Sequence, residues 1–395
     1  MISQIKEDFI LENGTLYDPV LDEKKQASIL ISKGVVKKVG NFPSNLKIKT
    51  IDCKGKLITP GFVDIHAHFR EPGREDKETL ETGSRAALSG GFTRVCTMPN
   101  TSPVIDSPEL VKFVINKSKE LPVYIYPIGA ITKGQKGLEL AEIGEMVEAG
   151  AVAISDDGIP LKNSQLLRFA LEYAKKFNIP VINHAEDDCL VNHGLVHEGE
   201  MSTRLGLPGN PDIAESTMVH RDLSISEYVQ GRLHIPHVSS SKSLEVIKDF
   251  KKRGVNVTAE VTPHHLSLTH EILVDYDTNA KVAPPIRSSN DRKALIRGIK
   301  TGLIDCIATD HAPHAIQDKD RDFKNASCGM IGLESAFGLV NKTLAKEKVG
   351  INNIIDLFTI NPSKVINITP NLIKNGNIAE LNVIDPTSKW IFDEK

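Results

Sequence analysis

The sequence predicts an α/β protein: an eight-stranded parallel barrel of the (β/α)8 (TIM) type, with a small β-sandwich domain built from both termini. Two observations support this prediction. Between about residues 61 and 310, short runs rich in Val, Ile and Ala alternate with segments of helical spacing, a pattern typical of parallel sheets. At both ends of the chain, apolar and polar residues instead alternate in runs broken by turns, which is typical of antiparallel strands.

Eight apolar runs are the candidate strands of the barrel, and eight strand–helix units are the number that closes this fold. Two of the segments between them, residues 164–177 and 241–254, have clear helical spacing. The eight runs are FVDI (62–65), TRVCTM (93–98), VYIYPI (123–128), AVAIS (151–155), PVIN (180–183), LHIP (233–236), NVTAEV (256–261) and DCIAT (305–309).

The ends of the chain carry strand patterns outside the barrel. Residues 1–60 contain the runs FILENGTLYDP, ASILISKGVVKKVG and TIDCKGKLITPG, which predict antiparallel strands. After a helical stretch that reaches about residue 360, the tail NIAELNVIDPTSKWIFD again predicts strand. We therefore expect a barrel over residues 61–362 and one small β-domain made from residues 1–60 and 363–395.

The composition argues against several classes of protein. A chain of 395 residues with 40% apolar and 25% charged residues can bury a large core. The net charge of −3, without a basic stretch, argues against nucleic acid as a partner, and no apolar run reaches the length of a membrane span. The start MISQIKEDFI lacks the pattern of a secretory leader, and five dispersed cysteines fit free thiols. We expect a cytoplasmic protein.

The segment VDIHAHFREPG places two histidines at the end of the first predicted barrel strand. Side chains at i and i+2 of a strand point to the same side, so His66 and His68 can converge on one object. Arg70 follows directly, and its planar guanidinium can bind a carboxylate. Two half-buried histidines in a loop would produce the same motif, so the segment alone does not define a site.

Similar polar residues follow five of the eight predicted strands. The carboxyl ends of barrel strands face one rim, where active sites are built. Four histidines and two acids on that rim need a cation, and imidazole with carboxylate favours zinc and related divalent metals. The residues are His66 and His68 after the first strand, either Asp156 or Asp157 after the fourth, His184 after the fifth, His237 after the sixth and Asp310 after the eighth.

Two metals held close together need a bridging anionic ligand. Asp157 is the first candidate and Asp156 the alternative, because the register at a strand end can slip by one residue. Other histidines have simpler explanations. His264 and His265, after the seventh strand, fit a structural hydrogen bond as well as a site, and we interpret His193, His220 and His270 as surface or capping residues.

Seven segments resemble the amidohydrolase superfamily of metal-dependent hydrolases, and within it the class I bacterial dihydroorotases. The resemblance extends from about residue 8 to 385. It implies two zinc ions, one held by His66, His68, Asp157 and Asp310 and the other by Asp157, His184 and His237. The segments are PGFVDIHAHFREPG, MPNT, SDDG, NHAED, TAEVTPHHL, PPIRS and ATDHAPH.

The resemblance also implies a set of substrate-binding residues. Arg70, Asn100 and His314 would bind the substrate carboxylate, and backbone groups at Cys328 and Gly329 would contact the pyrimidine ring. The sequence departs from the family at Ala283, in KVAPPIRS, where many members have an asparagine that contacts substrate. Loss of that neutral hydrogen bond costs about 0.5–1.5 kcal/mol, enough to weaken binding but not to abolish chemistry.

The implied reaction is the reversible, zinc-dependent hydrolysis of (S)-dihydroorotate to N-carbamoyl-L-aspartate in pyrimidine (UMP) biosynthesis. A hydroxide bridging the metals would attack the ring carbonyl, with Asp310 as general base and then acid. One alternative is another cyclic amidase, a hydantoinase or an allantoinase. The sequence around Ala283 resembles that of allantoinases, but Arg70 argues against this alternative. The other is a metal-free, non-catalytic partner of aspartate transcarbamoylase, which would have lost metal ligands that are present here.

The resemblance further implies a homodimer, and an active enzyme can also associate with aspartate transcarbamoylase. The expected partners are therefore the small-molecule substrate and other protein chains, with no nucleic acid and no membrane. The loop of residues 315–327 contains the charge run Asp318 to Asp322, which predicts mobility and solvent exposure.

Overall fold

The computed structural model describes residues 7–42 and 48–392, which form sixteen strands and fourteen helices. The predicted domain bounds at residues 1 and 395 lie outside these ranges. The strands are β1 Phe9–Asp18, β2 Glu23–Ser32, β3 Val35–Gly40, β4 Lys49–Asp52, β5 Leu57–Pro60, β6 Phe62–Ala67, β7 Phe92–Thr97, β8 Tyr124–Pro127, β9 Ile154–Ser155, β10 Val181–Ile182, β11 Val196–His197, β12 Gly209–Asn210, β13 Leu233–Ile235, β14 Val257–Val261, β15 Cys306–Ile307 and β16 Leu381–Ile384.

The helices lie mostly between the strands of the central part. Three short 3-10 helices, Lys133–Gln135, His270–Asp275 and Thr278–Ala280, are added to them. Among the described residues, no helix is both long and apolar enough to cross a bilayer. The α-helices are α1 Leu80–Ser89, α2 Pro108–Ser118, α3 Ile143–Ala149, α4 Ser164–Phe177, α5 Asp188–Val191, α6 Glu200–Leu205, α7 Asp212–Val229, α8 Ser241–Lys252, α9 Pro263–Ser267, α10 Ser289–Lys300, α11 Ile316–Lys319, α12 Ala336–Lys346, α13 Ile351–Phe358 and α14 Ile360–Val365.

The central strands form two parallel sheets, in the orders β6-β7-β8 and β9-β10-β13-β14-β15. Each of the eight predicted runs overlaps one of these strands, so the predicted strand positions are confirmed, although β9 and β10 are only two residues long. Two parallel bridges connect the edges of the sheets, one between Ala67 and His311 and one between Gly129 and Ile154.

Helix boundaries follow local capping chemistry. Helix α4 spans the predicted residues 164–177, and the Asn163 side chain accepts hydrogen bonds from backbone N–H groups at its start. The helix ends at Asn178, which takes a left-handed conformation. Helix α8 ends at Lys252, two residues before the predicted end, and Gly254 follows with a φ of +81° that favours glycine.

The largest apolar cluster packs the parallel strands against the surrounding helices. Val95 and Val181 on strands meet Leu80, Leu167 and Ile247 on helices, and all five side chains are almost fully buried. Burial of a side chain of this size contributes about 1.5–3 kcal/mol. The strands are therefore held rigidly, which fixes the positions of the polar residues at their ends.

The two chain ends join in one mixed sheet. Its order is β16-β5-β1-β2-β3, and β4 also pairs with β1. The antiparallel prediction is confirmed for β1–β2, β2–β3 and β5–β16, but it is wrong for β4, which pairs with β1 in parallel. Strand β5 also has a parallel neighbour, β1, on its other side. Alternation within a strand reports which side is buried and does not specify the direction of the neighbouring strand.

Candidate metal and substrate site

The predicted metal ligands meet at the carboxyl ends of the parallel strands. His66 lies near the end of β6 and His68 directly after it. Asp157, His184 and His237 each follow the last residue of their strand by two positions. All are buried, as is Asp310 after β15. The structure thus brings together every predicted ligand from five strand ends.

Asp157 lies between two pairs of imidazoles. Its Oδ2 is 3.3 Å from His66 Nε2 and 3.5 Å from His68 Nε2. Its Oδ1 is 3.3 Å from His237 Nε2 and 3.5 Å from His184 Nδ1. Each oxygen of one carboxylate therefore faces a different pair of ring nitrogens, which is the arrangement of a carboxylate shared by two adjacent cation sites.

Asp156 has a different environment. Its carboxylate accepts hydrogen bonds from the backbone N–H groups of Ile131 and Thr132, at 2.8 and 3.1 Å, and from the Thr132 hydroxyl at 2.5 Å. These contacts use the oxygens of Asp156 to hold the loop after β8. The geometry therefore favours Asp157 over Asp156 as the ligand that faces the histidines.

Asp310 completes one of the two clusters. Its Oδ1 is 3.1 Å from His68 Nε2 and 3.5 Å from His66 Nε2. Asp310 and His237 have φ values of +48° and +35°, and Arg70 has one of +58°. Backbone strain of this kind in residues other than glycine persists where the surrounding structure imposes it, and it is frequent at functional sites.

Glutamate partners outside the cluster orient the rings of His66 and His184. Glu260 Oε1 lies 2.6 Å from His66 Nδ1, and Glu186 Oε2 lies 3.1 Å from His184 Nε2. A ring N–H that donates to a carboxylate leaves the opposite nitrogen as a lone pair, which here points to the cluster. The sequence prediction missed both glutamates. The only signal for Glu260 was a carboxylate inside the apolar strand TAEV.

The donor set fits divalent metal ions. His66 Nε2 is buried and makes no well-aligned hydrogen bond to any described residue. Burial would lower the pKa of His66, but the charges of Asp157, Glu260 and Asp310 raise it well above its ordinary value. A buried ring nitrogen without a hydrogen-bond partner, among carboxylates whose charges favour a cation, is what a zinc site requires.

Glu260 carries negative charge into the protein interior. Burial would raise its pKa, but the charge of His66 and hydrogen bonds from His234 and His66 outweigh burial and lower the pKa to about 2. Its second oxygen, Oε2, lies 3.0 Å from His234 Nε2. Glu260 is therefore ionised and anchored on both oxygens.

Arg70 and His314 lie side by side next to this cluster. Arg70 Nε donates to the Pro313 carbonyl at 3.2 Å, and Arg70 Nη2 is 3.5 Å from His314 Nε2. His314 Nε2 also lies 2.7 Å from the Cys328 carbonyl oxygen, to which it donates. The structure thus places two predicted carboxylate-binding residues together.

The other predicted substrate contacts have partners within the protein. Asn100 Oδ1 accepts from His68 Nδ1 at 2.8 Å, so Asn100 also orients a ligand histidine. The Gly329 N–H donates to the Lys281 carbonyl at 2.9 Å, and a Cβ at Gly329 would lie 2.6 Å from the Ala312 carbonyl oxygen. Only glycine fits there, which explains the Cys-Gly pair.

The remaining histidines differ in burial and in their hydrogen bonds. Both ring nitrogens of His265 are hydrogen-bonded, to Thr262 Oγ1 and to the Pro284 carbonyl, which is a structural role. His264 Nε2 is buried without a hydrogen bond to a described residue. His193 and His220 are exposed, as expected for surface residues.

The charged loop is less uniform than predicted. Asp320, Arg321 and Asp322 are exposed, but the expectation of exposure is wrong for Asp318 and Lys319. Lys319 Nζ donates to the backbone carbonyls of Ser327 and Gly329, at 2.9 and 2.7 Å. These contacts form only when the loop folds back on itself, which a local charge run does not reveal.

Comparison with known proteins gives consistent results. Residues 55–243 match the family model described as Dihydro-orotase-like. A curated dihydroorotase from Trichlorobacter lovleyi is 42% identical over 389 residues, which are 98% of this chain and 92% of the relative. One from Pelotomaculum thermopropionicum is 45% identical over 379 residues, 95% of this chain and 88% of the relative.

Solved structures show the same fold at lower identity. The L-hydantoinase (dihydropyrimidinase) from Arthrobacter aurescens superposes with a TM-score of 0.83 at 24% identity, covering 95% of this chain and 86% of that one. A D-hydantoinase gives 0.82 at 22% identity, covering 98% and 88%.

The fold shared with the hydantoinases, the histidine–carboxylate clusters at the carboxyl ends of the parallel strands and the curated dihydroorotase relatives together define a metal-dependent cyclic amide hydrolase. Within that class, identities of 42–45% over nearly the whole chain are decisive. The chain belongs to the dihydroorotase family.

Proposed function

We propose that this protein catalyses the reversible hydrolysis of (S)-dihydroorotate to N-carbamoyl-L-aspartate, a step of pyrimidine synthesis. The observation that carries the proposal is the position of Arg70 and His314 beside the cluster around Asp157. Ring-opening chemistry needs the cluster, and a substrate carboxylate needs the adjacent guanidinium. A neutral cyclic amide would leave Arg70 without a counter-charge.

Two zinc ions are the proposed cofactors. One would be held by His66, His68, Asp157 and Asp310, and the other by Asp157, His184 and His237. When bound, zinc supplies a Lewis acid that polarises a carbonyl and lowers the pKa of water from about 15.7 towards about 7. The fit of the site rests on the lone pairs directed inward by Glu260, Asn100 and Glu186.

The protein's own residues would then handle the protons and orient the substrate. Asp310, at the edge of the cluster, would take a proton from the attacking water and deliver it to the ring nitrogen that leaves. Arg70 would bind the ring carboxylate through two parallel N–H groups. Burial of the ligand carboxylates excludes bulk water and strengthens each of these electrostatic contacts.

The test is a zinc-loaded activity assay run in parallel on dihydroorotate, hydantoin and allantoin, with metal content measured on the same sample. Turnover of dihydroorotate alone, at close to two metals per chain, is the expected result and would show that Ala283 is tolerated. Turnover of allantoin or hydantoin instead would make the protein a different cyclic amidase. Absence of both metal and turnover would favour a non-catalytic partner of aspartate transcarbamoylase.

The proposal also includes the closure of the barrel and the bounds of the two domains. We propose that the two sheets close into one (β/α)8 barrel over residues 61–362, supported by the Ala67–His311 and Gly129–Ile154 bridges. Residues 1–60 and 363–395 would form a separate β-sandwich domain, supported by the mixed sheet that joins both ends. Limited proteolysis with mass spectrometry of the fragments tests these bounds.

The cellular setting follows from the family resemblance. We propose a cytoplasmic homodimer, with association with aspartate transcarbamoylase as a second assembly. Light scattering of the purified protein at several concentrations tests the dimer. Mixing with purified transcarbamoylase before the same measurement tests the second assembly.

A further inference from the structure

Lys77 is a nearly buried lysine beside the proposed carboxylate pocket that no predicted role includes. Its side chain is only 8% exposed. Its Nζ lies 2.9 Å from His314 Nδ1 and 2.9 Å from Asp318 Oδ2 in the loop of residues 315–327. The contact with Asp318 is an ion pair rather than an aligned hydrogen bond. Lys77 thus connects a substrate-binding histidine to the loop.

The contact with Lys77 determines where the His314 ring carries its proton. A lysine ammonium group has three N–H donors and no acceptor, so His314 Nδ1 must offer a lone pair. The neutral ring then carries its proton on Nε2, which agrees with donation from Nε2 to the Cys328 carbonyl at 2.7 Å. Two independent contacts select the same tautomer.

The groups around His314 also keep the ring neutral. Burial and the positive charges of Arg70, Lys77 and Lys319 lower the pKa of His314 to about 4, and Asp318, whose Oδ2 is 3.9 Å from Nδ1, is already paired with Lys77. His314 Nε2 is 3.5 Å from Arg70 Nη2. Both of these nitrogens are donors, so they do not bond each other. The one Nε2–H already donates to the Cys328 carbonyl, so an oxygen acceptor placed beside Arg70 would share that N–H with the carbonyl in a bifurcated hydrogen bond.

We propose that Lys77 is a positioning residue for the substrate carboxylate: it holds His314 as the Nε2–H tautomer and so provides an N–H donor beside Arg70. The carboxylate of dihydroorotate then accepts from Arg70 and shares the His314 Nε2–H with the Cys328 carbonyl, while Lys77 remains behind the ring. The inference rests on the proposed dihydroorotase reaction for its kinetic consequences, but the tautomer of His314 is independent of turnover.

The test combines spectroscopy with kinetics on the zinc-loaded full chain. Two-bond ¹H–¹⁵N spectra of ¹⁵N-histidine-labelled protein report the protonation of each ring nitrogen, and His314→Gln assigns the His314 signals. In the parent at pH 7 we expect the Nε2–H tautomer. Lys77→Met leaves the Cys328 carbonyl as the remaining contact that selects the tautomer, so a minor Nδ1–H fraction should appear beside the Nε2–H form. KM for dihydroorotate should rise by about tenfold with a smaller change in kcat. Lys77→Arg, which keeps a cationic donor, should restore both.

Two controls separate positioning from a purely structural role. Asp318→Asn removes the ion pair to the loop but leaves the contact between Lys77 and His314, so the His314 spectrum should not change. Lys133→Met removes an exposed lysine paired with Glu139 at 3.4 Å and should change neither readout.

The outcomes distinguish the proposal from its alternatives. Equal rises of KM in Lys77→Met and Asp318→Asn, with an unchanged His314 spectrum, would mean that Lys77 only fastens the loop, and the proposal would be wrong. An Nδ1–H tautomer or an imidazolium in the parent would also overturn it. A parent that shows the Nε2–H tautomer but does not hydrolyse dihydroorotate would refute the proposed function and leave the tautomer assignment intact.

Discussion

The Glu260 carboxylate and the His66 imidazole lie 2.6 Å apart, Oε1 to Nδ1, at the candidate metal centre. Glu260 also lies 3.0 Å from His234 Nε2, so one buried carboxylate orients the ligand ring and is itself held in place. Partners of this kind raise the basicity of the ligand nitrogen and fix its direction.

Glu260→Gln should therefore weaken zinc binding by about 10- to 100-fold. The amide has one acceptor oxygen, so it cannot accept a hydrogen bond from both His66 and His234 as the carboxylate does. Competition with a chromogenic chelator measures the affinity. Glu227→Gln, which removes an exposed carboxylate paired with Arg253, is the matched control. Unchanged affinity in Glu260→Gln would show that the contact does not tune the metal.

Asp157 and Asp156 should respond differently to the same substitution. Asp157→Asn should lose most of its zinc because one shared ligand is lost from both proposed sites. Asp156→Asn should keep its zinc but lower the free energy of unfolding by about 1–3 kcal/mol, since a buried acceptor of three hydrogen bonds is impaired. Metal analysis and denaturant unfolding on both variants measure this. Zinc loss from Asp156→Asn alone would reverse the assignment.

Asp310→Asn should retain part of its zinc, because the other ligands remain, yet turnover should fall by about 10²- to 10⁴-fold since the proton acceptor is gone. Steady-state kinetics at matched metal content measure the change. A variant nearly as active as the parent would show that another group moves the proton.

Arg70→Lys should mainly raise KM for dihydroorotate, by about 10- to 100-fold, because an ammonium group cannot make two parallel bonds to a carboxylate. The ratio of effects on KM and kcat is the relevant measurement. Arg168→Lys, at an exposed helix position paired with Glu172, serves as the control. A fall in kcat with KM unchanged would contradict a role in substrate binding.

Stability should fall with acid partly because of His197. Burial and the charge of Arg287 lower the pKa of His197 from 6.5 to about 4. Between pH 6.5 and 4 the unfolded chain binds a proton that the folded chain does not, so the free energy of unfolding falls as the pH falls. His197→Gln should reduce that fall by on the order of 2 kcal/mol. Urea unfolding of both proteins at pH 7 and pH 5 checks this; identical pH dependence would count against it.

The sequence predicted the positions of the parallel strands and the set of residues at their ends because both are local patterns. It left Asp156 and Asp157 unresolved, since both follow β9 in one turn and only tertiary contacts separate them. Glu260 was missed because a single carboxylate in an apolar strand gives no pattern. The parallel pairing of β4 and β5 with β1 was missed because the relative direction of two strands depends on the path of the chain between them.

The pairing of β16 with β5 also affects the order in which the mixed sheet assembles during synthesis. Leu381 pairs with Pro60 and Ile384 with Leu57, so the partners are separated by more than three hundred residues. Among the residues that the structure describes, this edge of β5 pairs only with β16, so it stays unpaired until Leu381–Ile384 has left the ribosome. Pairing between such distant residues is slow to form, so the mixed sheet is complete only after β16 has paired with β5.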